Sequence, residues 1–470
     1  MIPKRLNSKL AYTVTLAVVC LFLAYLIGIT CLAWFVQNDT LWHLKAGEYM
    51  VKHKTVLMHD VFSWTMPSAH WYSHEWFWEV MFYLIYKQFG FAGLFWVNVI
   101  ILALILFISF FVINNLAGRD LFVITAVVGW GIYRYFVARP HVLAVLLFTV
   151  ALFIVTRDKL NTKQLVTLAL VFVLWANVHS SVVLGVFMVG LLSILKVTKT
   201  KKYKEAIKPA VIAMVASLIS PHHIGTYYFF VKLTTAKILT DNIAEWHSPN
   251  FHDTLLLVLV IAWVATFVIK IRHEQKWWNN LVIFLIGLAM ILSAIRNIVF
   301  VGLLFGIACQ TTKDTEKQEE KWLSVFVFVL AATLMFSINM NNLKFVDEKT
   351  MLSQEWAKVF KAVDYMQQHG YTDRILNDYN LGAYLIFRGI KCSIDSRADM
   401  YYFVDPEFTE QYINCLGLMD DFTKLIKKLD VKYVWVGLQT PVAQYLKAKQ
   451  YKILYSDKYT ILFKVPPSKN

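Results

Sequence analysis

Up to about residue 345 the chain alternates long apolar runs with short polar connectors, and from about residue 352 it changes to shorter, mixed periods. A membrane-crossing helix needs about 20 mostly apolar residues, fewer where neighbouring helices cover it. On that measure spans are expected at 11–36, 91–116, 121–138, 140–156, 164–176, 180–196, 209–220, 254–270, 280–295, 297–311 and 322–339. The run at 11–36 follows Lys4, Arg5 and Lys9, is too long for a signal-peptide core and lacks a clear cleavage site, so it reads as a retained first span. The stretch 71–89, WYSHEWFWEVMFYLIYKQF, is aromatic and amphipathic but interrupted by His74, Glu75 and Glu79. Carboxylates are costly at the bilayer centre, which predicts a helix lying in the interface. The alternative is a twelfth span, which would invert every later loop.

Beyond residue 352 the pattern predicts a small α/β domain, with helices at 356–369, 381–388, 406–415 and 420–429. Strands are expected at 374–376, 391–394, 433–436, 451–455 and 460–464. The expected architecture is an α-helical polytopic membrane domain of about eleven spans at 1–345, with interfacial helices in its first outer loop, followed by an extracytoplasmic domain at 346–470.

Composition supports the membrane assignment: 58% of residues are hydrophobic, 16% are charged, and the mean hydropathy is +0.52. Soluble domains carry about 25% charged residues. The net charge of +15 does not mark a nucleic-acid partner, because Lys and Arg cluster between apolar spans. That placement is a topology signal. With the N-terminus inside, the cytoplasmic connectors are 118–120, 157–163, 196–208, 270–276 and 313–321; 157–163, 196–208 and 270–276 carry the basic excess expected, 118–120 sets one Arg beside one Asp, the last mixes Lys with Asp and Glu, and the C-terminal domain falls outside. Of five cysteines, Cys392 and Cys415 lie in a polar region, where pairing and two unpaired thiols are both open.

The same topology gathers polar groups at the outer mouth of the bundle. The first span ends at Asn38-Asp39, followed by Trp42, His43 and Glu48. Later span ends bring Arg139 and His141, with Arg134 about a turn below, then Asn177 and His179, His222 and His223, Glu245 and His247, and Arg296 with Asn297. Any one of these is more often an interfacial anchor or cap than a reacting group, but their shared depth points to a site. The histidines lack the paired spacing of a zinc enzyme, which disfavours a tight catalytic metal and leaves room for a loosely held divalent cation. Arginine forks bind phosphate, and a carboxylate can take a proton from an incoming acceptor. Together they suit group transfer from a membrane-anchored phosphate or diphosphate lipid.

The first outer loop, from Asp39 through Trp42-His43 and Ala46-Gly47-Glu48-Tyr49 to Phe89-Gly90, resembles that of GT-C glycosyltransferases such as the protein mannosyltransferases and the lipid A aminoarabinose transferase. Segments around Arg139, Asn177, Glu245, Arg296, Asn377 to Tyr384 and Ile394 to Asp399 resemble uncharacterised bacterial membrane proteins of that superfamily. The resemblance covers nearly the whole chain. It implies a GT-C fold, a polyprenyl-phosphate sugar donor, and Asp39 as catalytic carboxylate, either as base or as ligand to an ion. One departure is Thr40, where the family often has a second acid or an arginine.

Asp60 offers a second carboxylate or a turn residue, and Asp378 a helix cap. Asp395 and Arg397 follow an expected strand, where α/β units bind ligands; an acceptor-recognising pair and an internal ion pair are both open. The expectation is therefore a multi-pass plasma-membrane glycosyltransferase acting on an unknown extracytoplasmic acceptor. The alternative is a non-enzymatic transporter or assembly partner, although the charges at midplane and inverted repeats of a transporter are not seen.

Overall fold

The computed structural model describes residues 4–32, 35–112, 136–157, 159–271, 277–308 and 355–467. The expected span at 322–339, all but the end of that at 121–138, and Arg134 lie outside them. The chain divides into two compact units, Met1–Leu32 with Phe95–Lys344, and Ala33–Leu94 with Phe345–Asn470.

The helices in chain order are α1 (Lys4–Thr30), α2 (Asn38–His53), α3 (Trp76–Val112), α4 (His141–Val155), α5 (Thr162–Ala176), α6 (Val182–Thr200), α7 (Tyr203–Ser217), α8 (Gly225–Thr235), α9 (Lys237–Asn242), α10 (Thr254–Ile271), α11 (Trp277–Ser293) and α12 (Ile298–Ala308). Among the described residues α3 is the one helix long and apolar enough to cross a bilayer by itself, accompanied by six shorter apolar helices. It is in fact two helices joined at Gly90, whose φ of 62° and ψ of -160° only glycine adopts readily. The sequence signal at Phe89-Gly90 thus marks a true break between an amphipathic segment and an apolar one.

In the first unit every residue of α12 is buried, as a helix hydrophobic on all sides requires. Phe300 meets Phe148 of α4 edge to face at 5.1 Å, and Phe305 stacks on Trp263 of α10 at 4.7 Å. Outward-facing Leu170, Phe187, Ile194, Val211 and Val215 are exposed, the surface expected of helices bathed in hydrocarbon. Gly185 lets α6 close on the Trp175 ring, where a Cβ would lie 2.4 Å from it.

The second unit contains α2, the start of α3 and the C-terminal residues. Its helices are α13 (Glu355–Gln368), α14 (Gly382–Phe387), α15 (Ala398–Val404), α16 (Pro406–Leu416), α17 (Phe422–Lys428) and α18 (Pro441–Ala448). Four strands, β1 (Ile375–Asn377), β2 (Tyr433–Gly437), β3 (Lys452–Ser456) and β4 (Thr460–Lys464), form one sheet in the order β1-β2-β4-β3. β1 runs parallel to β2, and the other two pairs are antiparallel. Local chemistry starts the helices: Asp405 caps α16 through Phe408 N at 2.9 Å, with Pro406 in the first turn, and Thr440 and Pro441 do the same for α18.

The expected strand at 391–394 is not part of the sheet. Cys392 instead makes an isolated parallel bridge to Ser63, with Cys392 N donating to Phe62 O at 3.1 Å and Trp64 N to Cys392 O at 2.9 Å. Its backbone pairs with the first loop, so residues 33–94, which the sequence division grouped with the spans, pack with the C-terminal domain. Cys392 and Cys415 are both buried free thiols.

Candidate functional site

Asp39 lies in the first turn of α2 and is half-buried. A carboxylate there is favoured by the helix dipole. Its Oδ1 accepts from Trp42 Nε1 at 3.4 Å, and the same indole donates to Ser396 Oγ at 3.1 Å. Asn38 Nδ2 donates to Asn380 Oδ1 at 3.3 Å, and Tyr379 OH to Ser396 O at 3.1 Å. The polar rim around Asp39 is therefore supplied by the C-terminal domain. Thr40 is fully buried, and its Oγ1 accepts from Gln37 N at 3.1 Å, so the departure from the family pattern serves the helix start. Glu48 pairs with Lys45 one turn away on the same helix.

Behind Trp42 stands Trp71, edge to face at 5.7 Å, and behind Trp71 lies the Arg397 guanidinium, 4.7 Å from its ring centroid and 5.2 Å from that of Phe62. Arg397 is 1% exposed. Its Nη1 donates to Asp60 Oδ1 at 2.7 Å; Nε and Nη2 form a fork on Asp395 at 2.8 and 2.7 Å. Tyr401 OH donates to Asp395 Oδ2 at 2.7 Å. Asp60 also accepts from Phe62 N, Ser63 N and Ser63 Oγ at 3.1, 2.9 and 2.6 Å. Burial would raise the Asp395 carboxyl, but the Arg397 charge and these donors hold it below the usual carboxylate range. Asp60, Asp395 and Arg397 thus form a closed internal network that joins the first loop to the domain. Of the two roles open for the Asp395–Arg397 pair, the internal ion pair is the geometry present. Asp378 caps the turn after β1 through Asn380 N at 3.1 Å.

A third cluster joins α2 to the start of α3. Gly47 permits it, because a Cβ there would lie 2.0 Å from Glu79 O. His43 Nδ1 is 3.1 Å from Glu79 Oε1, and Nε2 is 3.6 Å from Glu75 Oε2. Ser73 Oγ donates to Glu79 Oε2 at 2.9 Å, and His74 Nε2 is 3.4 Å from Glu75 Oε1. Burial alone would lower the His74 imidazole, yet the Glu75 carboxylate, helped by Asp399, carries it up to about 9. Sequence reasoning placed His43 in the site but passed over Glu75 and Glu79, whose i, i+4 spacing in an otherwise apolar stretch was the available signal.

In the first unit, Arg139 Nη1 donates to Glu245 Oε1 at 3.0 Å, and the Arg296 guanidinium lies 4.4 Å over the Trp246 ring. Burial would raise the Glu245 carboxyl, but Arg139, Arg296 and His141 together lower it. These four sequence-predicted residues are therefore neighbours. Others serve the fold: Asn177 Nδ2 donates to Val173 O at 2.7 Å and Ile219 O at 2.8 Å, bracing the end of α5. His179 Nδ1 lies 2.8 Å from Ser181 Oγ, which also accepts from Trp175 Nε1 at 3.1 Å. His247 Nε2 pairs with Asp241 O at 2.9 Å, and His222 is buried at the turn between α7 and α8.

No protein-family model matches the sequence. No curated protein matches it either. Solved structures do match in fold. Over 92% of this chain and 70% of the other, it resembles the archaeal oligosaccharyltransferase AglB from Archaeoglobus fulgidus in complex with an inhibitory peptide and a dolichol-phosphate, at a TM-score of 0.58 and 10% identity. It resembles ArnT from Cupriavidus metallidurans bound to undecaprenyl phosphate over 98% of this chain and 99% of the other, with TM-score 0.54 and 11% identity. The apo oligosaccharyltransferase of Archaeoglobus fulgidus gives 0.56 and 9% over 97% and 75% of the two chains. The chain shares the fold of these solved structures, a helical architecture with a small sheet-containing domain.

Proposed function

We propose that this protein is a membrane glycosyltransferase that moves a sugar from a polyprenyl-phosphate-linked donor to an extracytoplasmic acceptor. The observation that carries the reading is Asp39, a carboxylate held by Trp42 at the start of the helix that follows the first span, in a chain of GT-C fold. In this reading an acceptor hydroxyl loses its proton to Asp39 as its oxygen attacks the anomeric carbon, and the bond from that carbon to the phosphate oxygen breaks. The polyprenyl phosphate leaves with the electron pair. Within the first unit, Arg139 and Arg296, whose charges lower the Glu245 carboxyl, are the candidate phosphate-binding groups. The acceptor lies against Asn380 and Ser396, the C-terminal groups beside Asp39.

The test is incubation of purified protein with a panel of polyprenyl-phosphate sugars, scored by release of the carrier lipid. Asp39→Asn should abolish release while the protein keeps its wild-type unfolding temperature. Full transfer by that variant would reject the assignment.

A further inference from the structure

From the cluster between α2 and α3 we infer a divalent transition-metal site, held by one imidazole nitrogen of His43, one oxygen of Glu75 and one of Glu79. The three potential ligand atoms all lie within 4.8 Å of one another, and His43 and Glu79 are buried while Glu75 is nearly so. A tetrahedral ion with bonds of about 2.0–2.1 Å sets its ligand atoms about 3.3 Å apart. The Nδ1 to Glu79 Oε1 separation of 3.1 Å already meets that, whereas Glu75 Oε2 faces the other ring nitrogen, Nε2, at 3.6 Å, so loading the site requires the Glu75 side chain to swing towards the nitrogen that Glu79 faces.

The surroundings are what make this a cation site and not merely two acids beside a histidine. Each carboxylate has one oxygen engaged from outside, Glu79 Oε2 by Ser73 and Glu75 Oε1 by His74, which turns the other oxygen of each towards His43. Outer hydrogen bonds of this kind orient metal ligands. A nitrogen with two carboxylate oxygens is a donor set suited to Zn2+ or Mn2+, with water or a substrate oxygen completing the coordination. The same three residues arise from two segments, so the ion would clamp the first loop where Gly47 brings α2 against Glu79 O. His43 follows Asp39 by one helical turn on the same face, which gives the clamp a direct line to the position of that carboxylate. The site stands on its own geometry and does not depend on the transferase reading.

The experiment uses the full chain, purified in detergent, stripped with a chelator and titrated with Zn2+ alone by calorimetry, with Co2+ absorption as a second readout. One ion per chain should bind, the Co2+ bands should show nitrogen and oxygen ligands, and the unfolding temperature should rise on loading. Glu79→Gln and Glu75→Gln should each lose stoichiometric binding. Ser73→Ala, which keeps all three ligands, should bind about 10–100-fold more weakly. If a ligand variant fails to fold, the Ser73→Ala comparison still decides. Absence of binding to the stripped wild type, or binding that Ser73→Ala and the glutamine variants leave unchanged, would overturn the site and leave His43 as a histidine hydrogen-bonded between two acids. Zinc binding with a transfer-inactive protein would count against the transferase reading alone.

Discussion

Replacing Asp60 by Asn keeps the shape of a residue 337 positions from its partner and removes the charge that Arg397 Nη1 reaches at 2.7 Å. Arg397 and Asp60 are both essentially excluded from solvent, so neither can turn to water for compensation. Breaking a buried ion pair from one side costs about 3–5 kcal/mol. Asp395 still holds the guanidinium by two bonds, which puts the expected loss near the lower limit, about 3 kcal/mol. For a unit of this size about 2–4 °C of midpoint follows each kcal/mol, so a fall of about 6–12 °C is expected. The assay is thermal unfolding in detergent, followed by tryptophan fluorescence, because Trp71 packs on the guanidinium and Trp64 Nε1 donates to Ile375 O at 3.1 Å. Arg397→Met, which strands two acids, should cost more than Asp60→Asn, and the double variant less than the sum. A midpoint within about 2 °C of wild type for Asp60→Asn would refute the claim that this pair fastens the first loop to the C-terminal domain.

Two further outcomes follow from single residues. Gly90→Ala meets a backbone conformation that L-residues avoid, and should lower the stability of the purified protein by about 1–3 kcal/mol in the same unfolding assay. Asp395 is held below its ordinary value when folded, so its stabilising contribution is complete above the unfolded value of about 3.9 and is lost as pH falls through the folded one. Asp378, pushed up by burial, titrates in the opposite sense, so the comparison of wild type with Asp395→Asn in unfolding scans between about pH 3 and 6 isolates the contribution. The gap between the two proteins should narrow as the medium becomes more acid.

The parts of this fold that hydropathy writes one-dimensionally were readable in advance. Apolar runs matched α4, α5, α6, α10 and α11 closely, because a helix in lipid must be apolar over its own length whatever its neighbours are. The break at Gly90 was legible for a similar reason, as a glycine between an amphipathic segment and an apolar one. The strand expected at 391–394 failed because periodicity marks extended backbone but not its partner. Cys392 is paired with Ser63 in the first loop, so a stretch of the right length lies outside the sheet. Helices α15 and α18 went unseen, being segments of seven and eight residues, of which α18 starts on the Thr440 cap and α15 has no side-chain cap.

The candidate site divides along the same line. Arg139, His141, Glu245 and Arg296 could be found by asking which ionisable groups stand at span ends, and they do assemble. That question cannot separate a group facing a ligand from one bracing its own helix, so Asn177 and His179 looked alike in sequence while their hydrogen bonds close on α5, the turn after it and Ile219. Tertiary pairing also reassigns Asp60, Asp395 and Arg397, which are hundreds of residues apart or beside one another and meet in one buried network. The consequence reaches Asp39. Arg397 supports Trp71, Trp71 packs on Trp42, and Trp42 holds both Asp39 and Ser396, so the carboxylate nearest the proposed chemistry is positioned through two indoles by a buried C-terminal arginine. In such an arrangement the first loop and the C-terminal domain can change only together, because a substitution that loosens either one moves the indole on which the other depends.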